Sequence, residues 1–153
     1  MGTIADNIAE IRNNIALARQ KSPHPDQDVT LVAVTKMHSA EEIQEVLAAG
    51  QTLLGENRVQ ELLDKYDAVG DAATWHIIGH LQSNKVKYIT EKVAMIHSLE
   101  SESLANELSS RMQALGKTMD CLVQVNIADE ESKFGLERDE VLPFIKRVSQ
   151  LPG

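Results

Sequence analysis

At 153 residues, 42% hydrophobic and 25% charged, the chain has the size and composition of one globular domain with a real core. A net charge of −8 argues against a broad electrostatic grip on nucleic acid or an anionic membrane. The single cysteine, Cys121, excludes an intrachain disulfide, and no stretch approaches the ~18 apolar residues of a membrane span or carries a signal-like apolar region, so the expected location is the cytoplasm.

Ile4, Ile8, Ile11 and Ile15 recur at helical spacing, with Thr3 and Asp6 as a capping pair, and predict an amphipathic helix over 3–21. A breaker-rich loop, Lys21-Ser22-Pro23-His24-Pro25-Asp26, follows. From there the chain alternates. Residues 29–35 are apolar and β-branched and predict a strand. Ser39 and Glu42 form a capping box for a helix carrying Ile43, Val46 and Leu47 and ending at Gly50. Thr52-Leu53-Leu54 is a second strand, and Val59, Leu62, Leu63, Tyr66 and Val69 mark the next helix. The third strand covers 74–80; a helix from Ser83 carries Val86, Ile89 and Val93. A fourth strand at 94–98, a helix through Leu104, Leu108, Met112 and Leu115, a fifth strand at 119–127 and a last helix through Val141, Leu142, Ile145 and Val148 complete the series.

Five strand–helix units in strict alternation predict an α/β protein with a parallel sheet, in a single domain over 1–153. Length favours an open doubly wound sheet, since a closed (β/α)8 barrel uses about eight strands in about 250 residues. Side-chain alternation favours the barrel. Trp75 and Ile77 share one face of the third strand while His76, Ile78 and His80 share the other. In the fifth strand Cys121, Val123, Val125 and Ile127 are apolar and expected under helices, leaving Leu122, Gln124 and Asn126 opposite. One apolar face and one that turns polar towards its carboxyl end suit a barrel wall, whereas a doubly wound sheet is covered on both sides.

The residue that draws attention is Lys36. It closes the first strand, on the face shared by Thr30, Val32 and Val34. A lysine delivered by a buried strand to the end of a sheet where sites are built is a candidate nucleophile, since only the neutral amine attacks a carbonyl and burial favours that form. The alternative is a lysine whose head snorkels to water.

Several segments together resemble a known family. They are Leu31-Val32-Ala33-Val34-Thr35-Lys36, Gly55-Glu56-Asn57 with Val59-Gln60-Glu61-Leu62, the run from Trp75 to Lys85, Ile96-His97-Ser98, and Gln124-Val125-Asn126-Ile127 with Glu131-Ser132-Lys133-Phe134-Gly135. In this order and spacing the chain is similar to the pyridoxal phosphate homeostasis proteins, also called the proline synthetase co-transcribed family. The resemblance implies a fold-type III (β/α)8 barrel like the N-terminal domain of alanine racemase, of which this chain holds the N-terminal helix and about five βα units. It implies pyridoxal 5′-phosphate as cofactor, held by Lys36 as a lysine Schiff base, and a role in vitamin B6 homeostasis without robust catalysis. Apo-enzymes that use the cofactor are the implied recipients. The family continues for three more βα units, which supply the phosphate cup and an arginine facing the pyridine nitrogen. Without them five strands leave two open edges, through which copies of the chain are expected to self-associate.

Four other residues are candidates for the cofactor site. Asn57 has the alternatives of a bond to the cofactor ring hydroxyl and a helix N-cap. His80 has those of a ring contact and a satisfied interior histidine. Ser98 and Asn126 end the fourth and fifth strands, where they line a pocket or make capping and loop bonds. Lys133 is a further candidate at the rim, for the phosphate. Metal-binding spacing, a nucleophile elbow and a dinucleotide fingerprint are absent from the sequence. The competing reading of the chemistry is a fold-type III pyridoxal-phosphate enzyme of the racemase or decarboxylase kind. It needs a second base, for which the sequence offers Tyr66 and Tyr88 on predicted helices. A cofactor-free Schiff-base lysine and a fragment that binds nothing are the remaining alternatives.

Overall fold

A computed structural model of the chain describes residues 2–128 and 134–153. Helix α1 (Ile4–Gln20) begins in the capping box expected from Thr3 and Asp6. Strand β1 (Ala33–Val34) leads to α2 (Ala40–Ala48), capped reciprocally by Ser39 and Glu42. Then come β2 (Leu53–Glu56), α3 (Val59–Val69), β3 (Thr74–Ile77), a 3₁₀ segment at Ser83–Tyr88 and β4 (Val93–Leu99). The remaining elements are α4 (Glu102–Leu115), β5 (Asp120–Val123) and α5 (Val141–Val148).

All five strands are parallel and lie in the order β1-β2-β3-β4-β5. This order decides between the two architectures. A doubly wound sheet reverses its strand order at a switch point, whereas a barrel adds each strand beside the last. The core tells the same story. Leu54, Trp75, Ile77 and Ile96 from the strands pack with Ile43, Leu62, Leu104, Leu108 and Phe144 from the helices. Val34 and Leu122, on the opposite side of the sheet, are exposed. Helices therefore cover one face, and the chain forms a five-stranded sector of a (β/α) barrel wall. Helix α1 docks beside the amino ends of the strands, where the Arg12 guanidinium donates to the Gly50 carbonyl at 2.9 Å and to Gln51 Oε1 at 3.1 Å. Among the described residues no helix is long and apolar enough to cross a membrane.

Several element boundaries differ from the sequence reading: the second strand, expected at 52–54, is Leu53–Glu56, and the third, expected over 74–80, ends at Ile77. The first strand, expected over 29–35, joins the ladder only at Ala33–Val34, because the Leu31 carbonyl is taken by the Gln51 side-chain amide at 2.8 Å. The helix expected from Ser83 to Val93 is a short 3₁₀ segment, and Val93 instead opens β4. The fifth strand, expected to reach Ile127, leaves the ladder after Val123 and bridges Val125 to Leu136. That departure breaks the alternation, so Ile127, expected under helices, is 69% exposed and Asn126 is 7% exposed.

Candidate functional site

The carboxyl ends of β1 and β2 are tied together by charge. Thr35 turns towards the helix layer and is buried; its hydroxyl donates to Glu56 Oε1 at 2.6 Å. Lys65 reaches the same place from α3. Its ammonium donates to the Thr35 carbonyl at 2.6 Å, to Glu56 Oε1 at 2.7 Å and to Glu61 Oε1 at 2.8 Å. Glu56 is 0% and Lys65 8% exposed, so this is a buried ion cluster. Burial acts to depress the Lys65 pKa, but the bonds and charges of Glu56 and Glu61 outweigh it and hold the pKa above the usual lysine value. The bond from Lys65, then that from the Met37 amide, holds Glu61 below the usual carboxylate range.

Lys36 sits between the two peptides this cluster holds. On one side is the Thr35 carbonyl; on the other, the Met37 backbone N–H donates to Glu61 Oε1. Met37 has a φ of 63°, in the left-handed region that non-glycine residues seldom adopt. The turn swings the chain out of β1 and into α2. By alternation Lys36 shares the face of Val34, and its side chain is exposed rather than buried as expected. The cause is the number of strands. In five strands the face that a closed cylinder would enclose stands open to water.

Next to this face β2 supplies Gly55, paired with Val34 on one side and His76 on the other. A Cβ on Gly55 would lie 3.0 Å from Val32 Cγ1 and 3.1 Å from Ile78 Cδ1, so these two side chains already crowd the position and glycine fits there without displacing them. Beyond it His76 Nδ1 lies 2.9 Å from His97 Nε2. Burial, and for His76 the neighbouring His97, lowers the pKa of both rings.

The other candidates fall as follows. Asn57 follows β2 and is half-buried; the N-cap of α3 is Arg58, so the capping alternative for Asn57 does not hold. Its backbone touches the next connection, where a Cβ on Gly79 would lie 2.5 Å from the Asn57 carbonyl oxygen. His80 lies past the end of β3, exposed, with Nδ1 2.5 Å from Glu100 Oε1 and its ring stacked on Phe134 at 3.8 Å between centroids. It is therefore not the satisfied interior histidine of the alternative reading. Ser98 is 0% exposed at the register shift between β4 and β5, and the cap of α4 is Ser101. Asn126 is buried, with its backbone N–H on the Leu136 carbonyl at 2.9 Å. Lys133 lies outside the described residues. The structure thus gathers Lys36 and Asn57 around the ends of β1 and β2 and sets His80 at the end of β3, while Ser98 and Asn126 are enclosed. Tyr66 donates from α3 to Asp71 at 2.7 Å, and Tyr88 stands beneath Lys85 and Lys87 at the end of the 3₁₀ segment.

Sequence reasoning passed over Glu56, Lys65, Glu61, Glu100 and Phe134. A signal for Lys65 existed. It stands three residues after Leu62 and four before Val69, on the buried stripe of α3, where a charge needs partners.

A parallel sheet in simple sequential order, covered by helices on one side and carrying a lysine at the carboxyl end of its first strand, defines the wall of an alanine racemase-like barrel. The family description "Alanine racemase, N-terminal domain" matches residues 7–153, and the chain belongs to this family, among its pyridoxal phosphate homeostasis proteins. The pyridoxal phosphate homeostasis protein of Pasteurella multocida is 37% identical over 153 residues, 98% of this chain and 66% of its own length. That of Escherichia coli K12 is 35% identical over 156 residues, 99% of this chain and 67% of its own. The chain thus spans about two thirds of the length of the curated relatives it matches. Among solved structures, PipY of Synechococcus elongatus PCC7942 without PLP aligns with a TM-score of 0.81 at 36% identity, over 97% of this chain and 65% of PipY. The PLP-bound form of PipY aligns with a TM-score of 0.80 at 35% identity over the same shares, 97% and 65%.

Proposed function

We propose that the chain binds pyridoxal 5′-phosphate covalently through Lys36 and keeps it in an intracellular vitamin B6 pool, in the cytoplasm, for transfer to apo-enzymes. The observation that carries this reading is the position of Lys36: an amine on the open face, at the end of the first strand, with the peptides on both sides fixed. The names of its relatives and the PLP-bound form of PipY support it. Bound there, the cofactor supplies a reactive aldehyde. Lys36 would hold the group through its side-chain amine, a condensation that would release water and need no oxidant or reductant.

The described residues fit one end of the cofactor better than the other. Asn57, beside Lys36 at the neighbouring strand end, is placed to meet a ring hydroxyl, and His80 stands past the end of β3. Ser98, whose buried hydroxyl has no hydrogen-bond partner among the described residues, and the buried Asn126 are kept as candidate pocket residues. A cluster of donors for a phosphate is not found beside Lys36 among the described residues. We assign that role, and the arginine facing the ring nitrogen, to three further βα units that complete the barrel, with 1–153 as its N-terminal part. In their absence we expect copies of this chain to associate through the edges at β1 and β5. Turnover is not part of the reading: Tyr66 and Tyr88 belong to α3 and the 3₁₀ segment, and Tyr66 is already bonded to Asp71.

The test is to add pyridoxal 5′-phosphate, record the visible imine absorbance, fix it with borohydride and map the modified residue by mass. Modification at Lys36, lost in Lys36→Ala, is expected. Failure to modify Lys36 both in this chain and in one extended to the relatives' length would overturn the reading.

A further inference from the structure

We propose that Lys65 is a positioning residue for Lys36, acting through Glu56 and Glu61. The inference deepens the proposed function and rests on it. Lys65 Nζ bonds the Thr35 carbonyl at 2.6 Å, and Glu61, 2.8 Å from the same ammonium, takes the Met37 amide. One buried cation thereby fixes both peptides that flank Lys36, and with them the place from which its side chain extends.

Two features separate this cluster from ordinary structural pairing. A buried ion cluster adds little stability over apolar residues of the same volume, so packing alone gives no reason for charge here. Moreover, Met37 is held at a φ of 63°, an arrangement that persists only where its surroundings enforce it. The partner that enforces it is Glu61, which Lys65 holds in place. The chemical consequence is a gain in effective concentration. An amine whose backbone is fixed meets an incoming aldehyde with less order left to impose.

The experiment uses the full chain in four forms: wild type, Lys65→Met, Glu61→Ala and Glu61→Gln. Glu61 has a side chain 26% exposed, so its variants are expected to fold even if Lys65→Met does not. Two quantities are read. The first is amide hydrogen exchange at Met37 without cofactor. The second is the rate of imine formation at Lys36 with pyridoxal 5′-phosphate. Lys65→Met and Glu61→Ala are expected to speed the exchange and slow the imine rate, each by about tenfold or more, an effect of the size that lost orientation produces. Glu61→Gln keeps an acceptor for the Met37 amide and should recover most of both. Unchanged exchange in a folded variant overturns the proposal, and so does faster exchange with an unchanged imine rate. A wild-type chain that forms no imine at Lys36, either as residues 1–153 or extended to the relatives' length, overturns the cofactor reading and the positioning role with it. Imine formation that is equal in all four forms overturns the positioning role alone.

Discussion

The two ends of the sheet are finished in opposite ways. At β1 and β2 the strand tips are joined by a dry cluster of Thr35, Glu56, Glu61 and Lys65. At β4 and β5 the register shifts, the ladder gives way to the single bridge between Val125 and Leu136, and the nearby contacts are a ring stack and one carboxylate on His80. The first end is specified by directional bonds among buried charges, and removing one partner strands another. The second is held by contacts in which His80 and Phe134 are exposed. The amine-bearing end is therefore the fixed one, and the opposite rim is the adaptable one.

The comparison breaks most visibly at Glu56. Glu56→Ala leaves the Lys65 ammonium buried without its main partner, and a loss of about 3–5 kcal/mol is expected in urea unfolding. A loss under about 1 kcal/mol would mean that the cluster relaxes into water and is not the rigid end. Next comes Gly79→Ala, where the added Cβ would meet the Asn57 backbone at 2.5 Å; overpacking of this kind costs about 1–3 kcal/mol. It should also move the backbone amide resonances of Asn57, which sharpens the claim that β2 and β3 are locked at their tips. At the adaptable rim, Phe134→Ala should cost little stability, about 0.5–1.5 kcal/mol for the lost stack, while increasing the mobility of the His80 ring seen by NMR relaxation.

The smallest effect concerns acid. His76 and His97 have pKa values lowered in the fold, so the unfolded chain binds more protons as pH falls below about 6.5. The stability they contribute is present above that pH and is lost as pH drops towards their folded values. His97→Gln should flatten the slope of stability against pH below about 6.5, while the carboxylate-linked loss at lower pH, to which Glu61 contributes, stays. An unaltered slope would remove the histidine pair from the account.

Much of the architecture was legible because it follows from periodicity. Trp75 and Ile77 are in the core and His76 is on the other face, as alternation required, and both capping boxes formed. Periodicity alone left the topology open, since length argued for one and side-chain faces for the other; the family resemblance implied the barrel, and the strand order bears it out. The strand ends were misjudged where a local partner overrode the pattern. Gln51 took the Leu31 carbonyl, and Leu136 drew residues 124–126 out of alternation. Lys36 stood out because a charge at a strand end breaks a pattern. Lys65 did not, because a lysine on a helix is ordinary until its three acceptors are seen, and those come from β1, β2 and α3 itself. That the inner face lies open follows from five strands being too few to close a cylinder.

The left-handed Met37 has a consequence for engineering. Such a backbone costs about 1–2 kcal/mol in a residue with a Cβ and almost nothing in glycine. Met37→Gly would release that strain and at the same time free the hinge beside Lys36. On the proposed role of Lys36, thermal robustness and speed of aldehyde uptake are wired to the same dihedral with opposite signs, so that a sturdier variant is expected to take up the aldehyde more slowly.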